Sequence, residues 1–580
     1  MSRERRAGMQ IQRPGKTANH RLVSWLLVAS LTAALTAVTT VQALRRYDEL
    51  RTGWSWDLAY YNQWFWSLTQ ADGQLSVRPV ASYAEEGPSV WKMNYLAPIR
   101  LALVPFYRIH PDPRTLLVIQ NIMFWWIIPA AYTLARSESR SEAIAVSAAA
   151  LVPFAPLLWP LVWNDFRELQ LASPFVLWAV QGIRGRRVGL AAVGVLGMLA
   201  CRQEFAVMVA TFAFLPPRAP EELTRTLKWR QALFSIGLAW LLFGFFGYLR
   251  FKVAPGAPNQ FIDQFLGPRA TVFQTLGTSA DLLIYGLGAW ALFACLAPRV
   301  VILAVPWIWS LCNGRWALRF LATEEWHHVR YTVLPVAMIL AAGVIGYARL
   351  GAWLKARRGG WFVLVLIWLV AALAGGLGLR ELSSRMSWIP WPITAQEAHA
   401  LWYWIGQVGP EEGVLAAYEV TAPLSSRKRL FSYVLEQNKP RGFPRLGPEF
   451  QWIFLRNKDL DPRVFLDQGF DVVHKGDFLT VLHRVQGIAI QEGTSKKSFR
   501  FRSVRVSRSR SYRQRLFVEK TLPQKLHRPS RQAYNPTADA MLRRPDGSKT
   551  GFAKHLFGLL DLLIGQSGGR VPPRFRQVHS

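Results

Sequence analysis

Cysteine is nearly absent: Cys201, Cys295 and Cys312 are the only three in 580 residues, each within an apolar stretch. None has the spacing of a metal site, so a disulfide framework and a structural zinc site are both excluded. Charge is scarce as well. Only 18% of residues are charged, and acids are the rarer sign, 36 against 69 Lys and Arg. There is no P-loop, no Gly-rich dinucleotide fingerprint and no G-x-S-x-G elbow, so nucleotide-driven chemistry finds no support. No channel filter or inverted repeat is visible either. What fills the chain is apolar: 51% hydrophobic residues, with 26 Trp and 33 Phe. That is too apolar for a water-soluble protein and too aromatic for a disordered one.

The apolar runs predict an α-helical polytopic membrane protein of about eleven spans. The first, Leu22–Leu44, is uncharged and long enough to cross about 30 Å of hydrocarbon. It follows a basic N-terminus (1–21), and its length argues for an uncleaved span over a signal peptide. The others are Thr115–Ala135, Ala143–Trp163, Leu169–Ile183, Val188–Cys201, Phe205–Leu215, Gln231–Leu249, Leu282–Ala297, Val300–Cys312, Thr332–Ala348 and Trp361–Leu379. Val188–Cys201 and Phe205–Leu215 are short, which suggests a re-entrant or tilted pair meeting at Cys201-Arg202-Gln203-Glu204. Asn94–His110 is amphipathic, and with Arg100, Arg108, Pro98 and Pro105 it suits the interface better than a crossing. Alternating the spans puts 20 Lys and Arg into about 61 residues on the side of the N-terminus, against 16 in about 129 residues on the other side up to position 331. By the positive-inside rule the N-terminus is cytoplasmic, and parity places 380–580 outside.

The charge changes after the last span. Net charge is +17 over 1–379, +1 over 380–484 and +15 over 485–580. The middle stretch reads as a small α/β domain, with strands at Gly413–Val420, Arg429–Tyr433 and Phe450–Leu455 and a helix at Asp461–Gln468. A hairpin, Phe470–His474 with Phe478–Arg484, turns at Lys475-Gly476-Asp477. Its near-neutral charge gives no sign of a nucleic-acid partner. The basic tail 485–580 has the composition of disorder, with attraction to anionic lipid or polysaccharide as its simplest role.

Four clusters on the expected outer face carry the chemistry. Trp54-Ser-Trp-Asp57-Leu-Ala-Tyr-Tyr-Asn62-Gln63-Trp-Phe-Trp66 sets a carboxylate and amides among aromatic rings, suited to a sugar or headgroup and equally to an interfacial aromatic belt. In Trp163-Asn164-Asp165-Phe166-Arg167-Glu168 the acids share a face if a helix starts there, and such acids also suit a helix N-terminus. Arg202-Gln203-Glu204 lies between two apolar segments, where charge is costly unless paired or functional. Glu324-Glu325-Trp326-His327-His328-Val329-Arg330-Tyr331 invites a metal reading, but adjacent His lacks the i, i+4 spacing of a helical zinc pair. Contact with an anionic group fits it better.

At these residues the chain resembles the membrane family called domain of unknown function 2079, grouped with the GT-C type glycosyltransferases. The family's Y-D-L-G-x-F-D-Q-like segment is matched by Trp56-Asp57-Leu58-Ala59-Tyr60-Tyr61-Asn62-Gln63, with Asn62 in place of the second Asp. Asn94-Tyr95-Leu96-Ala97-Pro98 stands where an H-F-S-P-like segment belongs, without its His. Asp165-Phe166-Arg167 has Arg for His in a D-F-H segment, while Arg202-Gln203-Glu204 fits a K/R-x-D/E segment. His327-His328-Val329-Arg330-Tyr331, leading to Pro335, fits a Tyr/His-rich stretch before a Pro-containing span. The resemblance covers roughly 45–484.

It implies a GT-C-like transmembrane domain over 22–379, with a large outer loop at 45–114. It also implies an enzyme of the bacterial cytoplasmic membrane, active face outward, that moves a sugar from a polyprenyl-phosphate donor to a cell-envelope glycan or lipid. Asp57 would be the general base. Arg202 and Arg330, with Arg167, would hold the lipid phosphate, and Asp165 and Glu204 would orient the sugar or those arginines. Gln63, Asn62, His327 and His328 complete the expected substrate contacts. Membrane lipids are the expected partners, and neither a nucleic acid nor a cofactor is expected; whether a divalent metal takes part is left open by these residues. The competing expectations are a lipid or glycan transporter, an assembly scaffold, or an inactive relative.

Overall fold

The computed structural model describes residues 14–52, 55–70, 95–163, 165–218, 223–248, 276, 282–305, 307–308, 332–387, 393–432, 446–457 and 461–485. The described residues all lie within a single compact unit, and 507–580 lie outside the described residues. The described part is mostly helical. The long apolar runs become α1 (Pro14–Asp48), α2 (Ser55–Thr69), α3 (Ile99–Ile109), α4 (Pro113–Trp125), α5 (Ile127–Ser139), α6 (Glu142–Leu151), α7 (Leu158–Trp163), α8 (Ser173–Arg184), α9 (Val188–Cys201), α10 (Phe205–Thr211) and α11 (Leu223–Leu241). They continue as α12 (Ala289–Cys295), α13 (Val333–Lys355) and α14 (Gly360–Ser387).

Among the described residues, four helical stretches are long and apolar enough to cross a bilayer unaided: Asn19–Asp48, Pro113–Ser139 (α4 running into α5), Val333–Lys355 and Gly360–Arg380. Two of them sit on the outside of the bundle. On α1, Leu22, Val23, Leu26, Leu27 and Val41 are exposed, and on α14 so are Phe362, Val365, Leu366, Leu369, Val370 and Leu373. An apolar surface of that extent is stable against lipid and not against water. By contrast α13 is buried nearly all round. Its glycines let neighbouring backbones come close: a Cβ at Gly346 would overlap the Phe293 carbonyl of α12. Such small-residue contacts replace the hydrophobic drive that lipid cannot supply. Gly346→Val is therefore expected to destabilise the bundle by about 1–3 kcal/mol or more, checked as a lowered thermal midpoint in detergent.

The expected span Ala143–Trp163 is not one helix. Pro153 and Pro156 break it into α6, a 3-10 turn Val152–Phe154, and α7, whose first turn accommodates Pro160. Proline removes the amide and crowds the preceding turn. The freed groups are satisfied by neighbours: the indole of Trp290 donates to the Leu151 carbonyl (3.2 Å), that of Trp159 to Pro153 (2.7 Å), and the Leu157 amide to Gly286 (2.9 Å).

Contacts between helix ends give each helix a direction. Arg114 at the start of α4 pairs with Asp48 at the end of α1 (2.7 Å). Arg184 at the end of α8 pairs with Glu138 near the end of α5 (3.0 Å) and donates to Pro216 beyond α10 (2.9 Å). α9 thus runs from the Arg184 end, and α10 returns to it. At 14 residues α9 spans about 21 Å, so the Arg202–Glu204 turn is recessed below a 30 Å hydrocarbon thickness.

The region after the last long helix holds a five-stranded mixed sheet in the order β2-β1-β3-β5-β4, with β1 (Gly413–Ala416), β2 (Leu430–Ser432), β3 (Phe450–Arg456), β4 (Phe470–Lys475) and β5 (Leu479–Arg484). β1 is parallel to both neighbours, and β4 and β5 form the expected antiparallel hairpin. The expected strand Gly413–Val420 is half as long. After Ala416 the chain turns into α16 (Tyr418–Thr421), whose Thr421 hydroxyl donates back to Ala417 (2.8 Å). A preceding helix, α15 (Ala395–Gln407), was not expected. Thr394 caps it by accepting from the Glu397 amide (3.2 Å), and the Glu397 carboxylate accepts from the amides of Phe478 (2.9 Å) and Leu479 (3.1 Å) at the hairpin. Of the expected helix Asp461–Gln468, Arg463–Leu466 is helical (α17). Arg427 is buried, donating to Leu424, Gly409 and Glu412 carbonyls. Burial lowers its guanidinium to about 10 despite Glu412 nearby.

Candidate functional site

Three buried ion pairs meet beside α2. Asp57, in its first turn, pairs with Arg167 from the segment between α7 and α8. Their side chains are 14% and 6% exposed, which leaves Asp57 the most accessible member of the group. Arg100, on the inward face of α3, pairs with Glu168 (2.7 Å), and both are buried completely. Arg202 binds Glu204 through two nitrogens (Nε at 3.0 Å, Nη2 at 2.5 Å), and neither is exposed beyond 2%.

Aromatic rings join the pairs. The Tyr61 ring lies 5.1 Å from the Arg100 guanidinium carbon and 5.9 Å from that of Arg167. Tyr95 lies under Arg202 at 3.6 Å and Trp64 faces Arg100 at 5.7 Å. Cation–π contact of this kind gains strength when desolvated. Burial by itself would raise the Glu168 carboxyl, but Arg100 and Arg202 overrule it and hold the group below its ordinary value. Among these six residues charge cancels, three against three. The Gln63 amide nitrogen, the second Glu168 oxygen and both polar atoms of Gln170 are buried without a partner among the described residues.

The local sequence explains the geometry. α3 is strongly amphipathic, yet Leu101, Phe106 and Ile109 are exposed, beside Arg108, while Ile99, Arg100, Leu103 and Tyr107 are buried. α3 thus turns several apolar side chains outward and Arg100 inward, a pattern compatible with its expected place at a membrane interface. The helices α9 and α10 stop and restart around Arg202–Glu204, and Gln203 satisfies the Leu96 amide ahead of α3 (2.7 Å). Gln120 of α4 accepts from the Arg167 amide (2.8 Å), which anchors the strand of charges to the bundle.

Of the residues nominated from sequence, Asp57, Arg167, Arg202 and Glu204 come together. Asp165 is buried on the other side of Phe166 in the chain, where it interacts electrostatically with Arg46 at the end of α1. Gln63 is buried on α2. Asn62 is a tie between parts: it donates to the hydroxyls of Ser425 (2.8 Å) and Ser426 (3.0 Å) beside the sheet and accepts from Tyr107 of α3 (2.6 Å). Asn62→Leu is expected to strand these groups, lowering stability by about 1–3 kcal/mol, measured by thermal unfolding. His327, His328 and Arg330 lie outside the described residues. Among the described residues no group of three or more His, Cys, Asp or Glu is placed to hold a metal.

Sequence reading missed Arg100 and Glu168 as partners. The signal was present: an arginine on an otherwise apolar stretch, followed by an acid beside a nominated cluster. At the same end of the bundle a cavity of about 720 Å³ opens between the end of α1 and α15, lined by Leu44, Arg45, Arg114, His399 and Trp402 among others. None of the nominated residues lines it.

The family model described as "Predicted membrane protein (DUF2079)" matches residues 46–469. The chain belongs to that family. The DUF2079 match runs from the end of α1 through the first half of the C-terminal sheet and takes in all three ion pairs. No curated protein matches. Among solved structures, that of ArnT from Cupriavidus metallidurans bound to undecaprenyl phosphate is similar, with a TM-score of 0.48 and 11% identity, over 80% of this chain and 98% of that one. The apo form of the same protein gives a TM-score of 0.46 at the same identity and coverage.

Proposed function

We propose that this DUF2079 protein is an integral membrane glycosyltransferase that passes a sugar from a polyprenyl-phosphate donor to a cell-envelope acceptor. It works on the outer leaflet of a bacterial cytoplasmic membrane. The observation that carries the reading is Asp57: the one partly open carboxylate among the three ion pairs, paired with Arg167, whose guanidinium lies near the Tyr61 ring. A general base for a sugar or lipid hydroxyl needs an oriented carboxylate within reach of its substrate, and Arg167 orients this one.

Because the six charges already cancel, a phosphate enters by exchange. Arg167 passes from Asp57 to the donor phosphate, which guanidinium groups bind bidentately. Asp57 is thereby released toward the acceptor hydroxyl and takes its proton as the acceptor oxygen bonds to the sugar's anomeric carbon. The anomeric carbon–oxygen bond to the lipid phosphate breaks, and Arg167 and Arg202 stabilise the departing phosphate. Arg330 belongs to the same expected set.

Sidedness rests on the positive-inside count, and the Asp57 end and the C-terminal sheet share one side through Asn62 and Ser425. The test is consumption of labelled polyprenyl-phosphate sugars by the full chain in vesicles. Release of polyprenyl phosphate with label moved to a lipid or glycan acceptor supports the reading, whereas no consumption across a donor panel overturns it. A second, non-enzymatic reading, scaffold or inactive relative, is favoured by the neutrality of the network, and it expects indifference to Asp57 substitution.

A further inference from the structure

At the end of the bundle away from Asp57 the charge balance is entirely different. A cavity of about 500 Å³ opens between the start of α1, the end of α5 and the α8–α9 turn. Arg21, Arg136, Arg140, Arg187 and Arg218 line it, together with Glu142. Arg136 and the Tyr132 hydroxyl both engage Glu142 at 2.5 Å, so that carboxylate is already committed. The other four arginines have no carboxylate partner among the described residues, and all four are exposed. The adjacent Arg184 shows what a structural arginine looks like here: it is buried and held by Glu138 through two nitrogens.

A preference for basic loops on one side of a membrane explains why arginines are present. It does not require four of them, from four separate segments, to converge on one cavity and remain uncompensated. Mutual repulsion opposes that arrangement unless an anion relieves it. Arg140 adds a second sign of constraint, because it sits in the left-handed region (φ 54°) that closes α5, where glycine is the unstrained choice. The cavity also includes Trp25 and Trp178. Indole rings favour the headgroup level of a bilayer, and Arg21 is separated from Arg46 by about 38 Å of continuous helix, a full bilayer core away from the Asp57 site.

We propose that this cavity binds a phosphate-bearing anion, with Arg21, Arg140, Arg187 and Arg218 as its ligands. The phosphate comes either from an anionic lipid headgroup in the facing leaflet or from a soluble phosphate compound. Basic pockets between helices at a membrane surface are suited to phospholipid headgroups, and the volume is that of a small-ligand site.

The test is thermal unfolding of the full chain in detergent, titrated with phosphatidylglycerol, phosphatidylcholine or inorganic phosphate at constant ionic strength. A rise in midpoint with phosphatidylglycerol alone assigns the site to lipid, and an equal rise with inorganic phosphate assigns it to a soluble anion. In either case the Arg21→Gln/Arg187→Gln/Arg218→Gln variant should weaken half-saturation roughly a hundredfold. The Lys355→Gln/Arg357→Gln/Arg358→Gln variant removes the same charge from exposed residues outside the cavity at the same end, and should titrate like the unaltered protein. No stabilisation by any probe, or equal losses in the two triple variants, overturns the proposal.

Discussion

Asp57→Asn is expected to lower sugar transfer by about 10²–10⁴-fold, the usual contribution of a positioned general base. The substitution keeps the shape and the hydrogen-bond acceptor for Arg167 but removes the proton-accepting charge. It also removes the charge paired with Arg167, which is 6% exposed. Some loss of stability is expected to accompany the loss of turnover, because removing one partner of a buried pair is expensive. The two effects separate in the double variant Asp57→Asn/Arg167→Gln. There the thermal midpoint should recover toward that of the unaltered protein while transfer stays low. Transfer that recovers along with stability would mean that Asp57 serves only to neutralise Arg167, and the base assignment would fail.

Arg100→Met is expected to cost roughly 3–5 kcal/mol of stability, the largest effect for a single site outside the proposed chemistry. Arg100 and Glu168 are buried to 2% and 0%, so neither can turn to water when its partner is removed. Arg202 is close enough to act on Glu168 but is itself engaged by Glu204. Replacing both partners, Arg100→Met with Glu168→Leu, should restore most of the loss, since well-packed apolar groups often match or exceed a buried pair. A double-mutant cycle by thermal unfolding in detergent measures the coupling. A single variant within about 1 kcal/mol of the unaltered protein would show that water reaches this pair, contrary to its burial.

Much of this architecture was readable beforehand. α1, the joined α4 and α5, α13 and α14 follow from apolar length alone, and the break at Arg202–Glu204 from two short runs around a charged triplet. A short amphipathic α3 in place of a crossing helix followed from its prolines and arginines, but its rotation did not. Nothing local says that Arg100 faces the bundle and Phe106 faces outward, because in lipid the apolar side of a helix is no longer the inner side. α15 was legible and overlooked: Thr394-Ala-Gln-Glu397 has the spacing of a helix-capping box, although the Glu397 carboxylate is spent on the hairpin instead. The conversion of Tyr418–Thr421 to helix was not legible, since GVLAAYEV is a good strand by composition.

The sequence by itself determined that this is a membrane-spanning chain of the DUF2079 family, where its long helices run, and which charged triplets interrupt them. Those properties are local sums, of hydropathy over about twenty residues or of motif order along the chain. Only the tertiary structure decided the pairing: Asp57 with Arg167 across 110 positions, Arg100 with Glu168 across 68, and four arginines around one cavity at the far end. A buried charge needs a partner, but the requirement does not say which one. The choice is made where helix packing brings two ends together, and no window of sequence contains both.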